Sequence, residues 1–324
     1  MEPTPLEQAL AALAPRLGGA LAGPPRRLSG GASQETWAFD LVDGRRLILR
    51  KRPDGLARDA ERTAGLQTEA SLIRLAQAAG APVPAVVHVC TTHDGLGEAY
   101  VMARVEGETL GRRIVRDEAF AGVRPGLARR CGEVIARIHS IALDAVPDDI
   151  PRSGARVELD KYEEIYCASG ADRPVFDLAF KRLRRQAPRE GASVLVHGDF
   201  RNGNLMIQPE HGLAAVLDWE LAHIGDPAAD LGWLCVNSWR FGGDKPVGGF
   251  GDYADLLAGY QAAGGAPIPL ERVLYWQTLG SLKWGVMCLI MYGAYASGSD
   301  PSVERATIGR RVSETEIDLM NLLS

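Results

Sequence analysis

The sequence predicts an α+β protein of two lobes, a small antiparallel β lobe followed by a larger, mostly helical lobe. The first hundred residues alternate short apolar runs with glycine-containing turns around one helical stretch. Beyond residue 105 the apolar residues recur mostly at helical spacing. Two short apolar runs after residue 194 depart from that spacing and surround acidic residues. We therefore expect an N-terminal lobe over residues 1–104 and a C-terminal lobe over residues 105–324, with the boundary near Arg104.

Short-range signals predict the elements of the first lobe. Asp43-Gly44 is typical of a two-residue hairpin turn between alternating strands, and a glycine-rich turn opens the first of them. Gly80 ends a helical pattern, and Asp94-Gly95 marks a turn between two later apolar runs. The predicted order begins with a helix at residues 5–17, a hairpin of residues 28–40 with 46–50, and a polar loop at residues 53–63. A helix at residues 68–79 and two further strands at residues 86–90 and 99–105 follow.

Helical periodicity dominates the second lobe. Residues 124–141 predict one long helix, residues 161–186 a second and less regular one, and further helices follow to the C-terminus. We find no internal repeat, low-complexity tract or long linker.

The composition excludes several classes of protein. Of 324 residues, 46% are hydrophobic and 24% charged, and 36 basic against 41 acidic residues give a net charge of −5. No long basic run is present to favour nucleic acid or an anionic membrane. Five scattered cysteines without a CxxC pair predict reduced thiols and no structural zinc site. Pro15 interrupts the apolar residues 10–21, and residues 284–296 are too short to span a bilayer, so we expect a cytoplasmic protein.

The chemically informative segment is VLVHGDFRNGNLMI at residues 194–207, followed by AAVLDWE at residues 214–220. It predicts a strand, a polar loop, two short strands joined by a turn, and a final acidic stretch. This order brings Asp199, Asn204 and Asp218 to one end of a small hairpin. Two carboxylates and a carboxamide suit Mg²⁺, which takes a few protein oxygens together with nucleotide phosphates.

The spacing resembles that of kinases. Protein kinases have an asparagine five residues after the catalytic aspartate, as Asn204 follows Asp199, and a metal-binding aspartate after an apolar strand, as Asp218 does. The motif resembles the aminoglycoside phosphotransferase and choline kinase superfamily more closely than the protein kinases. It consists of HGD, four further residues and N, and it is continued by DWELAHIGDPAADL at residues 218–231. It looks most like the kinase-like branch associated with acyl-CoA dehydrogenases. The resemblance implies a two-lobed protein-kinase-like fold and a Mg²⁺- and ATP-dependent kinase that phosphorylates a small-molecule hydroxyl.

The resemblance also implies roles in the second lobe. Asp199 would be the catalytic base, and Asn204 and Asp218 would bind Mg²⁺. Arg201 would stabilise charge on the transferring phosphoryl group, or be a solvated surface arginine. His197 is expected to support the loop. Glu220 would contact metal or substrate or lie at the surface, and two later acids, Asp226 and Asp230, would brace the loop and cap a helix.

The nucleotide would lie against the first lobe and the segment between the lobes. Glycines of SGGAS at residues 29–33 let backbone N–H groups approach phosphates, although GxGxxG is missing. Arg50 stands where a lysine is usual and differs from it in phosphate geometry, with Glu69 as its expected ion-pair partner. Strand alternation directs Lys51 to the other face. The predicted cofactor-binding residues are Gly30, Gly31, Ser33, Arg50, Glu69, Met102, Val105 and Met206.

The acceptor is predicted less closely. Residues 268–299 contain one acid, Glu271, against Arg272 and Lys283, and they are rich in Trp, Met and Tyr. That shortage of acid disfavours a polycationic aminoglycoside, unless the four acids of a loop at residues 157–164 turn into the cleft. An acyl or CoA-linked hydroxyl fits better, as the resemblance implies. Two alternatives remain open: a catalytically silent ATP-binding regulator, and a metallohydrolase using His197 and Asp199. The metallohydrolase would need further histidine ligands, and we expect the other five histidines to fall in no ligand-like cluster. The oligomeric state is left open.

Overall fold

A computed structural model describes residues 3–28, 34–53 and 64–324. The strands of the described residues are β1 (Arg26–Arg27), β2 (Glu35–Asp40), β3 (Arg46–Lys51), β4 (Val86–Val89), β5 (Ala99–Ala103), β6 (Arg152–Ser153), β7 (Val194–Val196), β8 (Leu205–Gln208), β9 (Gly212–Val216) and β10 (His223–Gly225). The helices are α1 (Pro5–Leu13), α2 (Leu66–Ala78), α3 (Gly111–Arg116), α4 (Arg124–His139), α5 (Ala155–Ala168), α6 (Pro174–Gln186), α7 (Ala228–Leu234), α8 (Tyr253–Ala262), α9 (Leu270–Ala296), α10 (Val303–Gly309) and α11 (Val312–Leu323). An antiparallel sheet followed by a mostly helical region confirms the predicted fold class.

The N-terminal sheet has five antiparallel strands in the order β1-β2-β3-β5-β4. The β2–β3 hairpin turns at Asp43-Gly44 as predicted, because Gly44 adopts a φ of 87° that a residue with a side chain rarely adopts. One face of the sheet packs on α1 in a small core that includes Leu10, Leu13 and Leu49. The sheet ends at Ala103, and the division of the chain near Arg104 stays a proposal.

The first helix is shorter than predicted. Residues 5–17 form α1 only to Leu13, and a 3₁₀ turn, Ala14–Leu17, continues the chain. Pro15 has no N–H to donate to the preceding turn, so regular α-helix stops there. The second helix agrees with expectation, since α2 covers Leu66–Ala78 and packs an apolar face that includes Leu72 and Ile73 into the main core.

The predicted helix over residues 161–186 is wrong in one respect, because two helices occupy that region. α5 ends at Ala168 and α6 begins at Pro174. Gly170 between them has a φ of 65°, a left-handed conformation that ends a helix, and Pro174 can start a helix but not continue one. The predicted acidic loop at residues 157–164 is likewise part of α5.

The second lobe is built around α9, which packs against α5, α6, α7, α10 and α11. Thirteen of its 27 residues are buried. Among the described residues, no helix is both long and apolar enough to cross a membrane. Two small sheets, β8-β9 and β6-β10-β7, lie within this lobe and carry the polar segments singled out in the sequence.

Candidate active site

The predicted catalytic residues meet at the open end of the β8–β9 hairpin. Asp199 follows β7, Asn204 directly precedes β8, and Asp218 follows β9 by two residues. The backbone N–H of Leu217 donates to the carbonyl oxygen of Asn204 at 2.9 Å, which ties the two ends of the hairpin together. The hairpin therefore gathers these three side chains, as the sequence predicted.

Asp199 accepts three side-chain hydrogen bonds. Trp233 Nε1 and Arg201 Nε donate to Oδ1 at 2.7 and 3.0 Å, and Asn204 Nδ2 donates to Oδ2 at 2.6 Å. Burial raises the pKa of Asp199 and Asp218 adds to the rise, whereas Arg201 and Trp233 oppose it. Each carboxylate oxygen has two lone pairs, so Oδ1 is saturated and Oδ2 keeps one position open.

The loop that carries Asp199 is held by a buried carboxylate on α7. Asp230 accepts hydrogen bonds from the backbone N–H groups of His197 and Gly198 at 2.8 and 3.0 Å, and His139 Nε2 lies 3.1 Å from it. Burial alone would raise the pKa of Asp230, but His139 and His197 lower it overall. This contact is the loop bracing expected of Asp230. The other predicted structural acid, Asp226, accepts from the Ala228 backbone N–H at the start of α7 and pairs with Arg272.

His197 supports the loop, as expected. Its Nδ1 accepts from the backbone N–H of Asp199 at 3.2 Å, and Nε2 lies 3.1 Å from the carbonyl oxygen of Leu217. Burial lowers the pKa of His197, which favours the neutral ring that this pair of bonds requires. Gly198 is needed beside it, because a Cβ there would lie 2.1 Å from the carbonyl oxygen of Leu221.

Arg201 is not a solvated surface side chain. Its Nε is bonded to Asp199, and its guanidinium carbon lies 4.5 Å from the ring centroid of Trp239. About a quarter of the side chain, 24%, is exposed. The arginine is thus held against the candidate base, with part of its guanidinium open to solvent.

Arg50 links the two lobes. Its Nε lies 3.2 Å from Glu69 Oε2, the ion pair expected from the sequence, and an Nη lies 2.5 Å from Asp218 Oδ1 and 3.7 Å from Glu220. Burial alone would lower the pKa of Arg50, but the three carboxylates raise it overall. Burial also raises the pKa of Glu69 to about 7 against the opposing effect of Arg50, and Tyr100 donates to Glu69 at 3.2 Å. Glu220 therefore lies beside Arg50 and not at the open surface.

Asn204 and Asp218 fit a magnesium ion by their donor atoms. The amide nitrogen of Asn204 is committed to Asp199, so its oxygen is the atom left for a cation. Arg50 contacts one oxygen of Asp218, which leaves the other for a metal. Asp218 also has a φ of 67°, a conformation uncommon for a residue with a side chain and frequently found at functional sites.

The predicted adenine-binding residues lie at the junction of sheet and helical region. Met206 packs against the segment that follows β5, where a Cβ on Gly107 would lie 2.7 Å from Met206 Cγ. Glu108 and Ile207 form a β-bridge beside it. Met102 is half-buried on β5, and Val105 follows it in the connecting segment. Gly30, Gly31 and Ser33 lie outside the described residues.

A cavity of about 520 Å³ opens beside Gly198, the residue before Asp199. Two of the four acids in residues 157–164, Glu158 and Glu164, line it. Glu158 is neutralised by a salt bridge with Lys283 of α9. Burial by itself would raise the pKa of Glu158, but Lys283, with smaller contributions from His223 and Ser153, lowers it to about 2. The Lys283 ammonium also lies 5.1 Å from the centroid of the Tyr162 ring.

The aromatic residues of α9 contribute less to this cavity than the sequence suggested. Trp284 is buried in the helical core, whereas Tyr292 and Tyr295 are 52% and 41% exposed. Lys283 lines the cavity, and Trp276 lines a small pocket next to it. The remaining apolar residues of residues 268–299 face the core or solvent. An α-helix has 3.6 residues per turn, so successive side chains of α9 point in different directions.

One group of possible metal ligands lies away from this site. His88, Cys90 and Asp94 have ligand atoms within 4.8 Å of one another, so the expectation that no other histidine joins such a cluster is wrong. His88 lies on β4, and Cys90 and Asp94 follow the end of that strand. Asp94 is already bonded to Arg16 and to Thr91. The group contains neither His197 nor Asp199, the residues on which the metallohydrolase alternative depended.

The family model described as "phosphotransferase enzyme family" matches residues 25–288. The chain belongs to this family. Three curated proteins are related: acyl-CoA dehydrogenase family member 10 of Mus musculus (31% identical over 216 residues), the probable acyl-CoA dehydrogenase IBR3 of Arabidopsis thaliana (27% over 312) and acyl-CoA dehydrogenase family member 11 of Gallus gallus (27% over 326). The aligned regions cover 64%, 85% and 92% of this chain but only 20%, 37% and 40% of those proteins.

Solved structures share the fold. A putative aminoglycoside phosphotransferase from Ralstonia eutropha superposes with a TM-score of 0.77 at 21% identity, covering 97% of both chains. A choline/ethanolamine kinase family protein from Mesorhizobium loti gives 0.68 at 22%, covering 99% of this chain and 95% of its own. A spectinomycin phosphotransferase in complex with ADP and spectinomycin gives 0.66 at 13%, covering 97% and 98%. The family membership and the kinase-like fold confirm the resemblance predicted from the HGD-containing motif.

Proposed function

We propose that this phosphotransferase transfers the γ-phosphate of ATP to a hydroxyl group of a small molecule in a Mg²⁺-dependent reaction. The observation that carries the proposal is the carboxylate of Asp199, held by three donors with one lone pair open. Asp218, the candidate metal ligand, lies nearby and is bonded to Arg50. A buried base beside a cation-binding carboxylate is the arrangement that phosphoryl transfer to a hydroxyl uses.

Each residue then has a physical task. Asn204 and Asp218 would hold Mg²⁺, which when bound supplies charge neutralisation to the nucleotide phosphates. Asp199 would orient the acceptor hydroxyl and accept its proton. Arg201, fixed on Trp239 and Asp199, would place positive charge beside the transferring group. Arg50, held by Glu69, would contact the donor phosphates with a planar guanidinium in place of a lysine.

The nucleotide is assigned to the junction of the lobes. Met102, Val105 and Met206 would contact adenine, with Gly107 allowing the close approach of Met206 to the connecting segment. Gly30, Gly31 and Ser33 are proposed as phosphate contacts from sequence alone. ADP in the related spectinomycin phosphotransferase supports a nucleotide donor.

For the acceptor we propose a neutral or anionic hydroxyl compound, with an acyl or CoA-linked hydroxyl as the first class to test. The cavity beside Gly198 supports this, because Lys283 neutralises Glu158 and the cavity also receives Arg152 and Lys161. A polycation entering it would find Glu164 as its remaining carboxylate among the described lining residues. The acyl-CoA dehydrogenase names of the curated relatives support the acyl class.

The test is a screen of hydroxylated acceptors with Mg²⁺ and labelled ATP. Hydroxyacyl-CoA esters, free hydroxy acids and kanamycin form the panel, and the Asp199→Asn variant is the control for contaminating kinases. Phosphorylated product that the variant fails to form supports the proposal. A catalytically silent regulator would bind Mg-ATP in calorimetry and form no product with any acceptor, which would refute the transfer reaction.

A further inference from the structure

Trp233 contacts the candidate base directly, although the sequence motif does not contain it. Its indole N–H donates to Asp199 Oδ1 at 2.7 Å, and its side chain is almost entirely buried. The ring is held on two sides, since the Trp239 ring lies 5.3 Å away and the Lys283 ammonium 5.7 Å from its centroid. An indole fixed in this way offers its single N–H in one direction.

The helix that carries Trp233 also fixes the loop backbone. Asp230, three residues earlier on α7, accepts the backbone N–H groups of His197 and Gly198. One helix thus holds both the main chain before Asp199 and one oxygen of its side chain. A side chain on a short loop has rotational freedom about χ1 and χ2, and these contacts remove it.

The hydrogen bonds assign different tasks to the two oxygens of Asp199. Oδ1 accepts hydrogen bonds from Trp233 and Arg201, which occupy both of its lone pairs. Oδ2 accepts one hydrogen bond, from Asn204, and keeps one lone pair free. Without the indole, Arg201 alone would hold Oδ1, and the carboxylate would keep two of its three side-chain donors.

We propose that Trp233 is a positioning residue for phosphoryl transfer, which holds Oδ1 of Asp199 so that Oδ2 receives the acceptor proton. The inference rests on the proposed function. In the step concerned, the acceptor oxygen bonds to the γ-phosphorus and its proton passes to Oδ2. The bond from phosphorus to the β–γ bridging oxygen breaks, and its electron pair leaves with ADP.

The first test needs no activity. In ¹H–¹⁵N spectra near neutral pH, the indole signal missing from Trp233→Phe identifies Trp233, and Trp284→Phe identifies a matched control. Trp284 is also buried, and its indole nitrogen has no hydrogen-bond partner among the described residues. Asp199→Ala removes the acceptor, so the Trp233 signal should move upfield while that of Trp284 stays. An unmoved Trp233 signal overturns the inference. If Trp233→Phe fails to fold, the comparison of Asp199→Ala with the wild type decides alone: one indole signal should move upfield, and a spectrum in which no indole signal moves overturns the inference.

The second test is kinetic and uses the acceptor found in the screen. Trp233→Phe keeps an aromatic ring but loses the N–H. Its kcat should fall about 10- to 100-fold, the effect of removing one hydrogen bond to a charged group, with KM for ATP changed less than about twofold. Trp284→Phe should keep the wild-type kcat. Equal kcat in the two variants overturns the inference. Absence of any phosphoryl transfer by the wild type would refute the proposed function and leave the spectroscopic result standing.

Discussion

The salt bridge between Lys283 and Glu158 provides the sharpest prediction of stability. The two side chains are 125 residues apart in sequence, join α5 to α9 and are only 18% and 9% exposed. Lys283→Met would leave the Glu158 carboxylate buried without a countercharge. Breaking a buried ion pair by removing one partner costs about 3–5 kcal/mol, so we expect a loss of this order in the free energy of unfolding at neutral pH.

The pKa of Glu158 gives a magnitude for the whole surroundings of this carboxylate, of which Lys283 is the largest favourable part. It falls from 4.5 to about 2 in the folded chain. A difference of about 2.5 at about 1.36 kcal/mol per pKa unit corresponds to roughly 3 kcal/mol for burial, Lys283, His223 and Ser153 together. Since the folded pKa is depressed, this stabilisation is complete above about pH 4.5 and is lost as the pH falls through about 2.

Guanidinium chloride denaturation followed by tryptophan fluorescence measures the effect. Four proteins form the cycle: wild type, Lys283→Met, Glu158→Gln and the double variant, which should recover part of the loss. Lys245→Met is a matched control because its partner Asp252 is half exposed, and it should cost less than about 1 kcal/mol. A Lys283→Met protein within about 1 kcal/mol of wild type, or a coupling energy near zero, would refute the reasoning.

Three further predictions concern the reaction. Asp199→Asn should lower turnover by roughly 10²–10⁴-fold while Mg-ATP still binds in calorimetry, because a positioned general base contributes about that much; near-normal turnover would remove Asp199 from its role. Asp218→Ala should abolish Mg²⁺-dependent nucleotide binding by removing a charged ligand, and an unchanged Mg-ATP affinity would contradict the metal assignment. Steady-state kinetics should give a lower kcat/KM for kanamycin than for hydroxyacyl-CoA esters, since Lys283 already neutralises Glu158 in the cavity. The reverse order would refute the proposed acceptor class.

Local patterns in the sequence determined much of the fold and the centre of the site. Asp43-Gly44 predicted the hairpin because a two-residue turn needs left-handed backbone at its glycine. The spacing of Asp199, Asn204 and Asp218 predicted their meeting because a short hairpin joins the two residues that flank it. Arg50 and Glu69 were paired correctly for a similar reason, being a strand residue and a residue on the next helix. All these contacts follow from short segments whose geometry depends on few residues.

The tertiary structure alone decided which distant side chains surround those residues. Trp233 lies 34 residues from Asp199, and Lys283 lies 125 from Glu158, so no local period relates them. The sequence left open whether Arg201 is a solvated surface side chain for the same reason. Trp239, against which it packs, belongs to another segment of the chain. The angles at which helices pack depend on the whole core. The apolar periodicity of a helix therefore shows which of its faces is buried, but not which other helix that face contacts. The sequence thus determined which candidate site residues come together, and the packing of α5, α7 and α9 decided their surroundings and charge.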